Sequence, residues 1–416
     1  MPVAIERESA PRERRIRLIT DAFGQGAEAH ERRLLSAARP ALPLLLWLGQ
    51  RARPLMRVPR LGWITSDPVV ARGILNDGAH TTLLAEGGVG HLWAQVLGDW
   101  VLDLFDGPGH VEVRTKAKGL FTEASSAALV ERAWGTRLAA ARAHLEAGGE
   151  LDVAELARTL VGRMVVELLG MPDTDDEGCR EVFRIGEELA ATALGSTAST
   201  ELSPAQIAHA RAIVARLTVG VPEGYRSAGF DTVLGRCREM GLTLEQTTGL
   251  ATLLMVAGTE TAASAMGRMA ALLVDSGEQS RMVAGGSLDA ALTEGAVRET
   301  LRVASPAPLI GRAISADHEV AGRRLRAGER VMILTWTANN SAGPFRVDRP
   351  YSPHHRQLWF GAGRHLCLGA PLARAELGAM LEVLLGDGRE IEVVRRGYGR
   401  RVLIPAYASL VVRKRG

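Results

Sequence analysis
The chain reads as a mainly α protein, a single helix-rich domain over residues 1–416 with small β-sheets and one long central helix. Three observations lead there. Ten segments carry apolar helical periodicity or caps: 24–38, 68–77, 108–121, 126–146, 151–170, 176–194, 204–218, 244–275, 289–303 and 370–386. Stretches of strand character are fewer and shorter, at 60–65, 330–335, 391–395 and 402–412. No repeat, low-complexity tract or long linker divides the 416 residues, which suffice for a large buried core.

The central helix has the clearest bounds. Thr243-Leu-Glu-Gln246 forms a capping box, and apolar character runs to about Val274 before Asp275-Ser276-Gly277 stops it. At 1.5 Å per residue, about 31 residues make a rod of roughly 46 Å. One this apolar must cross the core. Ser203-Pro204, a cap followed by proline at the first helical position, starts another helix. Residues 1–20 are expected to be flexible.

Charge and cysteines exclude several functions. Fifty Lys+Arg against 47 Asp+Glu leave a net charge of +3, too small to imply nucleic-acid binding. The basic tail (Arg395, Arg396, Arg400, Arg401, Arg413, Lys414 and Arg415) reads as a solvated face. Cys179, Cys237 and Cys367 lie far apart without a CxxC pair, which argues against a disulfide framework and fits a reducing cytoplasm. The N-terminus lacks the apolar core of a secretory signal. The longest early apolar run, Ala41 to Leu48, is broken by Pro43 and falls well short of the roughly 20 residues needed to span a bilayer. The expectation is a soluble, cytoplasmic monomer without membrane insertion.

Chemistry concentrates near the C-terminus, in Phe360-Gly-Ala-Gly-Arg-His-Leu-Cys367-Leu-Gly369. A glycine-rich loop delivers one cysteine to the start of a helix, whose free N–H groups favour a thiolate. The glycines remove side chains where a flat macrocycle must approach the backbone. Amide hydrogen bonds to the sulfur would tune a bound metal, with Phe360 shielding it. Other readings compete at this point. A lone cysteine is usually a small buried hydrophobe. A nucleophile would need a base and an orienting group that spacing alone does not supply. A dinucleotide loop fails, because Gly361 and Gly363 are followed by Leu366 where that loop needs a third glycine.

On the central helix, Leu250, Leu253, Leu254, Ala257, Gly258 and Thr261 share one stripe. Thr261, with Glu260 beside it, intrudes on this apolar face. Gly258 costs about 1 kcal/mol relative to alanine in mid-helix and needs a reason. Back-bonding of Thr261 to the Ala257 carbonyl would open the helix into a groove for a diatomic ligand and water.

Phe360, Gly363, His365, Cys367 and Gly369 match the haem-binding signature F-x-x-G-x-[HR]-x-C-x-G, so the chain resembles the cytochrome P-450 family over essentially its whole length. The resemblance implies a P-450-type fold and a haem b (iron protoporphyrin IX) with Cys367 as proximal metal ligand. Phe360 and Gly361 would be part of the cofactor cradle. Thiolate ligation favours O–O cleavage. Ala257-Gly-Thr-Glu-Thr261 resembles the family's A-G-x-[DE]-T motif, which makes Glu260 and Thr261 an acid–alcohol pair that delivers protons to activated oxygen. His110 and Arg114 match its H-x-x-x-R pair; with Arg312 and His365 they would bind the haem propionates. Glu299 and Arg302 match its E-x-x-R pair, a buried structural contact.

The match weakens between Asn339 and Trp359, where Ala338-Asn-Asn-Ser-Ala-Gly-Pro replaces the usual A-N-R-D-P stretch and the meander is several residues short. That bears on redox-partner geometry. The implied activity is an O2-dependent monooxygenase that hydroxylates or epoxidises a small, largely apolar organic substrate. Its pocket would be lined by the 80–100 loop, residues 185–205, the start of the central helix, Pro306 to Ile310 and the 404–408 turn. Without a flavin or iron–sulfur module, electrons would come from a separate ferredoxin and ferredoxin reductase. Arg356, Arg364, Arg374, Lys116 and Lys118 would steer that acidic partner. Two rivals use the same haem: a peroxygenase or oxidative-coupling enzyme, and a non-catalytic haem-thiolate sensor. The first does not need Glu260 and Thr261 as a solvent proton relay, and the second would consume no electrons with substrate.

Overall fold
A 33-residue helix, Leu244–Ser276, forms the axis on which the other elements pack. The computed structural model describes residues 26–51, 54–59, 61–107, 109–194 and 200–416. The expectation for residues 1–20 lies outside them, as do positions 24, 25, 60 and 108 of the expected elements and 195–199 of the expected pocket. The axial helix starts as its capping box dictates. Thr243 Oγ1 accepts from Gln246 N–H at 3.2 Å, and the Gln246 side chain accepts from Thr243 N–H at 2.9 Å. Gly277, at φ 74°, closes the other end in the left-handed conformation that glycine adopts without strain.

Around this axis Val153–Leu169 and Asp176–Leu194 pack against it, and Ala370–Leu385 packs between it and Glu123–Glu146. The helices share one apolar core that includes Trp134, Phe183, Met255, Leu273 and Leu384. Contact between two of them is close enough to exclude any side chain at Gly162, whose Cβ would fall 1.9 Å from the Cys179 carbonyl oxygen. Cys179 and Cys237 are buried in this core, the ordinary setting for an unreactive thiol. A buried ion pair, Arg268 Nε to Glu31 Oε1 at 3.1 Å, ties the Ala27–Ala38 helix to the axis.

The sheets are small. Five strands lie in the order Met56–Val58, Gly62–Thr65, Arg330–Ile333, Ile310–Ile314 and Thr81–Thr82. The pair Gly62–Thr65 and Arg330–Ile333 is parallel, with Ile64 opposite Met332; its neighbours are antiparallel. Ile391–Tyr398 pairs with Tyr407–Lys414, which also carries Leu151–Asp152, and His318–Val320 pairs with Arg323–Leu325. The strand expected at 402–412 thus begins five residues late. The reason is local: the Ile404 amide and Pro405 carbonyl are engaged by the Glu260 and Ser264 side chains of the central helix, so this stretch docks as a turn.

The basic tail is only partly a solvated face. Arg396 forms a two-pronged pair with Asp275 at 2.7 Å, and Lys414 is buried, donating to Leu384 O at 2.7 Å beside Asp387. Arg395, Arg400, Arg401, Arg413 and Arg415 remain exposed. The early apolar run forms only the ten-residue helix Leu42–Arg51, and among the described residues no helix is long and apolar enough to cross a membrane.

One buried acid gives the fold a pH dependence. Glu376, in the Ala370–Leu385 helix, is 4 % exposed and makes no hydrogen bond among the described residues, so burial pushes its carboxyl up to about 8. A carboxyl raised on folding holds its proton in the native state. Its contribution is complete below the unfolded value near 4.5 and is lost as pH rises to about 8. Glu376→Gln is expected to remove this decline, stabilising the protein at pH 8 by up to about 4 kcal/mol relative to wild type. Urea unfolding at pH 5 and pH 8 checks it; equal stability differences at both values would contradict it.

Candidate haem-thiolate site
The cysteine loop keeps its shape through its backbone. Cys367 N–H donates to Phe360 O at 2.9 Å and Leu366 N–H to Gly363 O at 3.0 Å. Gly361 (φ 76°) and Gly363 (φ 69°) are left-handed, and a Cβ at Gly363 would lie 2.5 Å from Leu75 O. Gly363 is therefore required by the turn and its packing on the Pro68–Asn76 helix, a different reason from the macrocycle approach expected for it. A Cβ on Gly369, by contrast, would meet nothing within 4 Å.

Cys367 is accessible yet surrounded by protein, as expected of a side chain facing an interior space. Burial pushes its thiol up, while the Gly369 N–H and the Arg114 and Arg374 guanidiniums favour the thiolate. Arg374 stacks over the Phe360 ring at 5.5 Å, which holds that ring beside the loop.

On the central helix the sequence stripe has an unexpected setting. Ala257 and Gly258 are exposed, and Leu250, Leu253, Leu254 and Thr261 are only partly buried, although the helix crosses the core. A Cβ on Gly258 would meet nothing within 4 Å. The most apolar stripe of a core helix therefore lines open space, which favours a large apolar occupant over water. Thr261 Oγ1 donates to Ala257 O at 2.9 Å, the back-bond its motif predicts.

Glu260 does not share that face. It is 7 % exposed, and its Oε2 accepts from Ile404 N–H at 3.1 Å. Burial, reinforced by Glu187 and opposed by the Ile404 amide and Arg39, raises its carboxyl to about 7. The expectation that Glu260 stands with Thr261 on the apolar stripe is corrected by its contacts: Glu260 starts at the stripe's edge, but its carboxyl is buried on the Ile404 amide.

The four basic residues expected to bind propionates come together. His110 and His365 meet edge-on with ring centroids 4.8 Å apart, and His110 Nε2–H donates to Arg364 O at 3.3 Å. Arg114 donates to Leu366 O, next to the cysteine. Arg312, on the Ile310–Ile314 strand, is 6 % exposed, and burial lowers its guanidinium to about 10 against the pull of Asp106. Asp106 is the residue that sequence reasoning missed. It accepts from His365 Nε2, Thr82 Oγ1 and Leu83 N–H, each at 2.8 Å, and lies 3.6 Å from Arg364. Although burial opposes its charge, these donors hold its carboxyl far below the usual range. Its place four residues before His110 was the available signal.

This donor set fits a haem. One thiolate-capable sulfur faces interior space, an open apolar helix face provides an apolar wall, and two guanidiniums and two imidazoles from three segments, Arg312 and His110 among them buried, match a dianionic edge. Among the described residues no three His, Cys, Asp or Glu side chains converge into a metal cage.

The Glu299–Arg302 pair supports the site from behind. Both contacts are 2.7 Å with side chains 2 % and 3 % exposed, and Arg302 also donates to Asn339 O, Gly343 O and Pro344 O. Arg349 adds a 3.0 Å contact to Glu299. The pair thus clamps the 339–349 stretch that leads toward the cysteine loop.

Comparison with known proteins agrees. The family model for cytochrome P-450 matches residues 289–387. Cytochrome P-450 109 of Bacillus spizizenii is 36 % identical over 157 residues, covering 36 % of this chain and 37 % of that protein. Cytochrome P-450 105A3 of Streptomyces carbophilus is 40 % identical over 139 residues, covering 32 % and 33 %. The chain thus spans little more than a third of the length of these curated relatives. The structure of P450BioI, in complex with an acyl carrier protein bearing hexadec-9Z-enoic acid, superposes with a TM-score of 0.73 at 23 % identity, covering 91 % of this chain and 99 % of that one. That likeness extends the shared fold to almost the whole molecule, and the signature, the match over residues 289–387 and the donor set make the chain similar to the cytochrome P-450 family.

Proposed function
We propose that the protein is a haem-thiolate monooxygenase acting on a small, largely apolar organic substrate. The observation that carries this reading is the Cys367 loop combined with an open apolar stripe on the central helix. The balance is substrate, O2, two electrons and two protons in, and oxygenated substrate and water out. Haem b, when bound, supplies the iron at which O2 is reduced and cleaved.

The chain's own residues do the rest. Cys367 holds the iron as a thiolate, with Gly369 N–H, Arg114 and Arg374 favouring its charge. Phe360 and Gly361 shield and cradle the sulfur. The Arg114 and Arg312 guanidiniums neutralise the propionate edge, with the His110 and His365 rings beside them as hydrogen-bonding groups. Leu250, Leu253, Leu254 and Ala257, with Leu309 and Ile310, contribute a water-excluding wall that selects apolar ligands. The Thr261 hydroxyl gives its one proton to Ala257 O and so presents its oxygen as an acceptor at that wall, to which Glu260 supplies protons.

Electrons come from a ferredoxin and its reductase. Exposed Lys116, Lys118, Arg356 and Arg364 flank the cysteine loop, and Arg374 lies beneath it, a positive surface suited to an acidic carrier. The protein works as a cytoplasmic monomer on this reading. Screening the haem-loaded protein against a compound library tests it. An apolar ligand that shifts the Soret band should be oxygenated in proportion to electrons consumed when ferredoxin and reductase are supplied. Turnover with peroxide alone would favour the peroxygenase alternative. Binding without any electron consumption would favour a sensor.

A further inference from the structure
A cavity of about 260 Å³ lies beside the central helix, between it, the helices Val153–Leu169 and Asp176–Leu194, and the 399–408 turn. Glu260, Ala263, Ser264 and Gly267 line it from the central helix, at the i, i+3, i+4, i+7 spacing of a single face. That face is different from the apolar stripe. At 100° per residue the two lie roughly a quarter turn apart, and Glu260 projects about 60° from Ala257, at the seam between them. Its carboxyl therefore stands with the cavity on one side and the Thr261 face on the other.

Across the cavity, Glu187 extends from the Asp176–Leu194 helix. Half-buried, it makes no hydrogen bond or ion pair among the described residues, unusual for a helix on which Glu181 and Glu188 both hold arginines. Exposed Arg400 lines the same space and marks its opening to solvent. The volume accommodates several waters, and two carboxyls, Arg158 and Arg400 give them polar partners.

We propose that Glu187 is a positioning residue for proton delivery, passing protons from solvent through this cavity to Glu260 and so to the Thr261 face. The inference rests on the relay role given to Glu260 above. The step moves only a proton. Glu187 takes one from solvent, a bridging water passes one on to Glu260, and Glu187 returns to its carboxylate form. Two neighbouring carboxyls are suited to this because each charge disfavours the other, so they tend to share one proton. The groups facing Glu260 are Glu187, Arg39 and the Ile404 amide; those facing Glu187 are Arg158, Arg180, Arg184 and Glu155, with Arg400 and Tyr407 completing the lining. Burial pushes both carboxyls up. Gly186 allows the close approach of the two helices here, since a Cβ would sit 3.2 Å from Thr259 Oγ1.

Infrared titration of the carboxyl stretch in the purified holoenzyme tests this without turnover. Glu260→Gln identifies the Glu260 band by removing it. Glu187→Gln, which deletes a neighbouring negative charge, should move that band's midpoint to lower pH, while Glu187→Asp should leave it near wild type. In turnover with ferredoxin and reductase, Glu187→Gln should lose about tenfold in coupled product, release more peroxide and show a larger solvent isotope effect, with Glu187→Asp restoring most of the rate. An unmoved midpoint, or an unchanged rate and peroxide yield in Glu187→Gln, overturns the proposal. Failure of the oxygenase reading has another signature: no haem-dependent turnover in wild type, with the infrared midpoint still reporting whether the two carboxyls are coupled.

Discussion

Cys367→Ala is expected to fold, yet to lose the long-wavelength carbon monoxide band of the reduced protein and at least about 10³-fold in oxygen transfer, some 4 kcal/mol of barrier. Folding should survive because the loop is held by Cys367 N–H on Phe360 O and Leu366 N–H on Gly363 O, neither of which uses the sulfur. Haem binding should weaken but persist, since His110, Arg114, Arg312 and His365 are untouched. Activity has no such fallback, because the electron donation that assists O–O cleavage comes from the thiolate. Carbon monoxide spectra and product assays on matched preparations check it. A variant retaining the wild-type spectrum would remove Cys367 from the site.

The second large effect is on stability. Arg302→Ala should destabilise the protein by about 3–5 kcal/mol, because it strands the Glu299 carboxylate in the core and frees three carbonyls of the 339–344 stretch. Arg349 remains at 3.0 Å and keeps the loss toward the lower figure. Glu299→Gln with Arg302→Met should recover part of it, since replacing both members of a buried pair costs less than removing one. Denaturant midpoints of the two variants decide the matter; a single variant within 1 kcal/mol of wild type would show that the pair is dispensable.

Long elements were legible in the sequence for physical reasons that particular residues illustrate. Thr243 with Gln246, Ser203 before Pro204, and Gly277 are terminus signals that act locally, so the helices they bound appear where expected. Helices such as Leu42–Arg51, Val221–Ser227 and Val233–Glu239 escaped notice because seven to ten residues give too few turns to establish a period. Thr81–Thr82 is a strand only because Ile314 and Ala313 lie opposite, more than 230 residues away in sequence.

The site divides in the same way. The cysteine loop, with His365, and the His110–Arg114 pair sit in motifs whose spacing is itself the signal. Glu260 was found by motif but misplaced, because the Ile404 amide that holds its carboxyl lies 144 residues away in sequence. Glu187 had no signal: on an amphipathic helix rich in glutamates, only the cavity sets it apart. Asp106 became visible when the Thr82, Leu83, His365 and Arg364 donors, distant in sequence, converged on it.

The proposed bond between the Cys367 sulfur and a haem iron is open to direct observation. Iron-edge X-ray absorption fine structure on the haem-loaded wild type should show one sulfur scatterer beside the porphyrin nitrogens, absent in Cys367→Ala. A first shell of nitrogen and oxygen alone, or a purified wild type that takes up no haem, would contradict the account.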